Sequence, residues 1–154
     1  MRLLLSIDDT DASRTALAYA VDVAGRLDAD LLVTYVLEQV PEEATPADDV
    51  NDGDGDTANA DDVPPVVRDA IEDARTTGDR LLREAANRAR AAGVDVETAM
   101  LTGDPHEVIS SFAEAEGVDG IVVGHRSAAE GDDVIDSVAR RLIDHASIPV
   151  TVVP

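Results

Sequence analysis

Leu3-Leu4-Leu5-Ser6-Ile7-Asp8-Asp9-Thr10-Asp11 is the stretch on which the fold turns. Its first part is a short apolar run, the pattern of a strand buried on both faces. Its second part is a cluster of Asp and Thr side chains, which cap helix N-termini by accepting from free backbone N–H groups. Leu17, Val21, Ala24 and Leu27 then recur at helical spacing, and the helix is expected to end near Asp28. Leu31 to Leu37 reads as a second strand. A buried strand, a helix and another buried strand in direct succession point to a parallel crossover unit.

The same alternation continues. Val67, Ile71, Ala74, Leu81, Ala85, Ala89 and Ala92 mark a long amphipathic helix, with Gly93 as its stop. Val94, Val96, Thr98 and Met100 alternate with Asp95, Glu97 and Ala99, the period of a half-exposed edge strand. Asp104-Pro105-His106-Glu107 reads as a helix start with an acidic N-cap, Pro at the first helical position and Glu in the capping-box place. Val108, Ile109, Phe112 and Ala113 form that helix's apolar face. Gly120 to Val123 is a further buried strand closed by Gly124. Val134, Val138 and Leu142 mark a last helix, and Val150 to Val153 a last strand after Pro149. The order βαβαβαβαβ predicts an open, doubly wound parallel sheet in one domain spanning 1–154. Such sheets bind ligands beyond the carboxyl ends of their strands, here Asp8, the Val36 region, Gly103 and Gly124.

From Glu38 to Pro65 the chain is rich in Asp, Glu, Pro and Gly and poor in large apolar residues, so a long acidic, mobile loop is expected. Within it, Asp48 to Asp56 invites comparison with a calcium loop. Counted from Asp52, the positions needing Gly and Glu hold Thr57 and Val63, so no EF-hand is present.

Composition narrows the function. With 154 residues and 44% hydrophobic content, a sizeable core is available. There is no Cys, which excludes disulfides, thiolate metal sites and cysteine catalysis. The net charge is −21, and all 12 basic residues are Arg. Loss of every Lys from an acidic surface is the signature of adaptation to molar salt, which predicts a halophilic, archaeal source. Met1 to Ile7 is followed at once by two acids and reads as a buried strand rather than a signal peptide, so a cytoplasmic protein is expected. The same charge argues against nucleic-acid binding. No apolar run is long enough to cross a bilayer.

Several pieces, in order, resemble the universal stress protein family. Ser6 to Ser13 is similar to its opening strand and turn, Leu31 to Val36 to its second strand, and Gly103-Asp104-Pro105 to its third βα turn. Ile121-Val122-Val123-Gly124-His125-Arg126-Ser127 is similar to its phosphate loop. Asp136 to Ala139 and Ile148 to Val153 are similar to its closing helix and strand. The resemblance implies strand order 3-2-1-4-5 with helices on both faces, a homodimer formed through Val150-Thr151-Val152-Val153, and a nucleotide pocket built from Asp8, Val36, Gly124, His125, Arg126, Ser127 and Ser137. The ATP-binding branch of the family carries Gly, two residues, Gly, nine residues, Gly, then Ser or Thr. This chain keeps Gly124 and Ser137, but Arg126 or Ser127 stands at the second glycine and Asp136 at the third. A carboxylate at Asp136 repels a triphosphate, so the pocket is expected to be degenerate. The function that follows is a small dimeric stress-response protein acting by binding. The alternative is an ATP- or AMP-binding regulator, with magnesium and at most slow hydrolysis.

The residues support no catalytic constellation. There is no Gly-x-Ser-x-Gly elbow, no Gly-Lys-Ser/Thr loop and no Gly-x-Gly-x-x-Gly after the first strand. Asp8-Asp9 suits a phospho-receiver, but that chemistry requires a Lys. The histidines read as ordinary: His106 an exposed first-turn residue, His145 a cation at a helix C-terminus, and His125 a loop residue without a neighbouring ligand for a metal.

Overall fold

The computed structural model describes residues 1–38, 65–125 and 137–154. Five strands, β1 (Arg2–Ile7), β2 (Asp30–Leu37), β3 (Val96–Thr102), β4 (Gly120–Gly124) and β5 (Val150–Val153), form one parallel sheet in the order β3-β2-β1-β4-β5. Four helices, α1 (Asp11–Leu27), α2 (Pro65–Ala91), α3 (Pro105–Glu116) and α4 (Ser137–His145), connect them. The expected loop over 38–65 falls, apart from its two end residues, outside the described residues, as do the Asp48–Asp56 run and Val134.

The pleat divides the core into two layers. Leu3, Leu5 and Ile7 of β1 pack with Leu31 and Val33 of β2 against α1 and α2. Leu4 and Leu32 turn the other way, with Ile121 and Val123, onto α3 and α4. The alternation of side chains across a strand thus turns apolar runs into two half-cores. Thr34 is wholly buried at the sheet centre, and its hydroxyl donates to the Leu5 carbonyl at 3.3 Å.

Helix faces depart from expectation in instructive ways. The buried side of α1 is Ser13, Ala16, Ala20, Val21 and Ala24, and Leu27 is 52% exposed. Small residues let the helix lie close to the sheet, and the larger Leu is displaced to the rim. In α2, Leu81, Leu82, Ala85, Ala86 and Ala89 are buried, whereas Ile71 and Ala92 are exposed. A helix of 27 residues is about 40 Å long, well beyond the span of the eight-residue β2, so its first turns overhang. It ends as expected at Gly93, whose φ of 77° permits a Schellman closure: Val94 N donates to Ala89 O at 2.9 Å and Gly93 N to Arg90 O at 3.0 Å. Val94 therefore belongs to the turn. β3 starts two residues later than its alternation suggested, and its Thr98 is exposed rather than inward. It does form a sheet edge, as expected.

Candidate functional site

The carboxyl ends of β1, β2 and β4 open onto a cleft of about 190 Å³. It lies where the sheet order reverses around β1, the switch point at which doubly wound folds leave room between diverging crossovers. Asp8, Val36 and Gly124, singled out from the sequence, all line it. Thr10, Ser13 and Glu38 join them, with Pro105 and Ile109 of α3 and Val138 and Ala139 of α4 forming the far wall.

The acidic corner is built by the first turn of α1. Asp8 is not the cap; Thr10 is. Its backbone is extended (φ −126°, ψ 158°) and its hydroxyl oxygen accepts from Ser13 N at 3.2 Å. The same hydroxyl donates to Asp8 Oδ1. Ser13 is buried, and its oxygen accepts from Asp8 N at 2.8 Å. Asp8 is thus tied to the helix start twice, through its carboxylate to Thr10 and through its backbone N–H to Ser13, and it stays half-buried at the edge of the cleft. Thr10 and Ser13 were not singled out as site residues; the signal that goes with them is the Asp8-x-Thr10-x-x-Ser13 spacing of a cap and the third helical position.

Gly124 is tight for a reason other than phosphate approach. A Cβ added there would lie 2.6 Å from Ala12 O and 2.9 Å from Ser13 N. The glycine lets β4 end directly against the start of α1, which closes that side of the cleft.

The remaining expected residues divide. His125 follows β4, and its N–H donates to Val153 O at 2.7 Å; it is not among the cleft residues. Arg126, Ser127 and Asp136 lie outside the described residues. Ser137 begins α4, one position before the cleft-lining Val138.

Behind the cleft, Tyr35 near the end of β2 is half-buried. Burial raises its phenol pKa above the ordinary 10.0, and the carboxylates of Asp8, Asp9 and Glu38 raise it further by opposing a second negative charge. On α3, Asp104 makes no side-chain capping bond, contrary to expectation. Its carboxylate instead lies 2.7 Å from His106 Nδ1, and the His106 side chain is only 16% exposed.

This topology, with a cleft at its switch point, defines the doubly wound, Rossmann-like class of α/β folds. The family model described as universal stress protein family matches residues 1–154, and the chain belongs to that family. A universal stress protein of Methanocaldococcus jannaschii is 28% identical over 153 residues, which cover 99% of this chain and 81% of the relative. Among solved structures, the UspA protein of Lactobacillus plantarum superposes with a TM-score of 0.77 at 22% identity, covering 100% of this chain and 97% of that one. A universal stress protein of Arabidopsis thaliana, solved with AMP bound, gives a TM-score of 0.66 at 20% identity, covering 99% of this chain and 90% of that one. Among the described residues, no helix is long and apolar enough to cross a membrane.

Proposed function

We propose that this universal stress protein acts by binding rather than turnover, and that its cleft takes an adenine mononucleotide in preference to a triphosphate. The observation that carries this reading is the convergence of Asp8, Val36 and Gly124 on one cleft at the sheet's switch point. The charge of the lining supplies the preference. Asp8 and Glu38 both border the cleft, and among its described lining residues there is no basic side chain. Each added phosphate meets like charge, at about 1 kcal/mol per pair 4 Å apart in water and several-fold more near a protein surface. In the sequence, Asp136 stands where the ATP-binding branch of the family has glycine, which fits the same preference. Binding of AMP by the Arabidopsis relative supports the mononucleotide reading.

The protein works as a cytoplasmic homodimer in this reading. β5 is a sheet edge of four residues whose Thr151 is exposed and whose Val150 and Val152 are only half-covered. Unpaired edges need a cover, and a second copy across a two-fold axis provides one. The lysine-free acidic surface suits a cytoplasm at molar salt.

Thermal unfolding in 2 M KCl with AMP, ADP or ATP, each with and without magnesium, tests the proposal. A ligand that binds only the folded state adds about 2.7 kcal/mol at a hundredfold excess over its Kd. A rise in Tm with AMP that shrinks through ADP to ATP is expected. A rise greatest with magnesium ATP would overturn the preference and favour a triphosphate regulator. No rise with any nucleotide, in folded protein, would leave the dimer surface as the functional part.

A further inference from the structure

β3 ends the sheet on the side away from β5, and among the described residues no strand pairs with its outer edge. Two bonds to β2 fix which of its groups are free. Leu31 N donates to the Asp95 carbonyl, and Gly103 N donates to the Leu37 carbonyl. Successive strand residues direct their N–H and C=O groups to alternate sides, so the odd-numbered residues of β3 serve β2. The N–H and C=O groups of Val96, Thr98, Met100 and Thr102 therefore face the open edge. Proteins usually guard such an edge with charges, Pro or a bulge. Across Val96–Thr102 the single charged residue is Glu97, and Arg2 engages it at 2.6 Å.

The helix that packs on β3 breaks the charge pattern of the chain. α2 holds six of the 12 Arg, at positions 68, 75, 80, 83, 88 and 90, against five acids, which gives it a charge of +1 in a chain of −21. Attraction to the helix dipole accounts for Arg88 and Arg90 in the last turn, but not for Arg75 or Arg83. Arg80 pairs with Glu84 at 3.5 Å. Arg75, Arg83 and Arg90 are exposed, and among the described residues they have no ion-pair partner. At about 100° per residue, these three and Asp79 fall within a sector of roughly 80° around the helix. Arg90 lines a groove with Val96 and Glu97 at the start of β3, which sets that sector on the β3 side. Asp30 and Asp95 border the same groove.

We propose that the β3 edge and the arginine flank of α2 form a docking site for an extended acidic segment of a partner protein, which joins the sheet as a sixth strand. Its backbone bonds to Val96, Thr98, Met100 and Thr102, while carboxylates on its alternate residues meet Arg75, Arg83 and Arg90. Arg suits this task in strong salt, because its guanidinium is weakly hydrated and grips a carboxylate through two bonds. A second copy of the chain is a poor occupant. Two β3 edges paired about a two-fold axis bring their arginine flanks onto the same face, like against like. The site lies apart from the nucleotide cleft, since none of these residues lines it. The inference is independent of which nucleotide binds, or whether any does.

Fluorescence anisotropy with a labelled peptide of alternating Glu and Val tests it, in the lowest KCl concentration that keeps the full native circular dichroism. The peptide should bind the whole chain, and its Gln counterpart should bind about tenfold more weakly, as the loss of three exposed ion pairs implies. Arg83→Ala and Arg90→Ala should each weaken the Glu peptide by about two- to fivefold. Arg88→Ala, roughly 140–160° round the helix, should leave it unchanged. Thr98→Pro removes an outward N–H and keeps the β2 ladder whole, a change that edge strands tolerate. It should abolish binding, while Thr98→Ala retains it. In the natural chain, the peptide should slow hydrogen exchange at the Thr98 and Met100 amides. Failure of the Glu peptide to bind, equal binding of the Gln peptide, or unslowed exchange at those two amides overturns the site. A mass in light scattering that Thr98→Pro halves overturns the acidic partner and assigns the edge to a second copy.

Discussion

Gly124, at the end of β4, abuts the Ala12 carbonyl so closely that a Cβ would stand 2.6 Å from its oxygen. The obstacle is backbone, which cannot rotate away as a side chain can. Gly124→Ala should therefore destabilise the protein by about 1–3 kcal/mol, the usual cost of overpacking. Urea unfolding should show a lower midpoint with an unchanged slope.

Gly78 presents the contrasting case. A Cβ there would meet the Tyr35 ring at 2.5 Å and the Met100 methyl at 2.7 Å. Gly78 lies inside α2, where alanine is otherwise favoured by roughly 1 kcal/mol. The sign of the substitution should depend on Tyr35. Gly78→Ala is expected to destabilise the natural chain and to stabilise a Tyr35→Ala chain, as a double-mutant cycle in urea would read directly.

The bonds among Asp8, Thr10 and Ser13 make a graded prediction. Thr10→Ala removes the α1 cap and should cost about 1 kcal/mol, with Thr10→Ser recovering most of it. Ser13→Ala leaves the Asp8 N–H without its acceptor in a half-buried place, for about 1–3 kcal/mol. Both should also weaken any nucleotide that uses the Asp8 carboxylate.

Tyr35 gives an alkaline limit. Its raised pKa means that the unfolded chain loses the phenolic proton first as pH rises. Stability from this group is whole below pH 10.0 and declines as pH climbs toward the folded value, because the unfolded state then binds fewer protons. Tyr35→Phe should flatten the fall above pH 10.0 in chemical unfolding. In the folded protein, the 295 nm absorbance step absent from the Tyr35→Phe chain should lie above that of free tyrosine.

Salt provides the last test. With a net charge of −21, self-repulsion opposes the compact state, and screening relieves it. The urea midpoint should rise steadily from 0.1 to 2 M KCl, and a smaller response is expected from a chain with surface Asp22 and Asp30 neutralised.

The sheet was legible because periodicity reports burial directly. Apolar runs such as Leu3–Ile7 and Gly120–Val123 have few other readings, and their succession with helical patterns limits the topology to a crossover sheet. Helix faces were harder. In α1 the spacing of larger residues marked Leu17, Val21, Ala24 and Leu27; Val21 and Ala24 are buried and Leu17 packs half-buried on the core, but Leu27 is exposed and the packed face also takes Ser13, Ala16 and Ala20. Hydropathy weights size, and close approach to a sheet selects against it. Asp8, Val36 and Gly124 could be named because strand ends converge in this topology. Thr10, Pro105 and Ile109 required knowing which turns face inward. The approach of the His106 and His145 rings, with centroids 5.9 Å apart, had no sequence signal at all, since it arises from the packing of two helices distant along the chain.

The position of β1 has a consequence for how the protein is made. Leu3 pairs with Leu31 on one side and with Gly120 on the other. The first partner leaves the ribosome soon after β1 does, but the second emerges only when most of the chain has been translated. At the usual pace of about 5–20 residues per second, the central strand waits many seconds with one edge bare. A nascent chain that stalls between β2 and β4 would therefore display a strand destined for the centre of the core, half-paired, to every chaperone in reach.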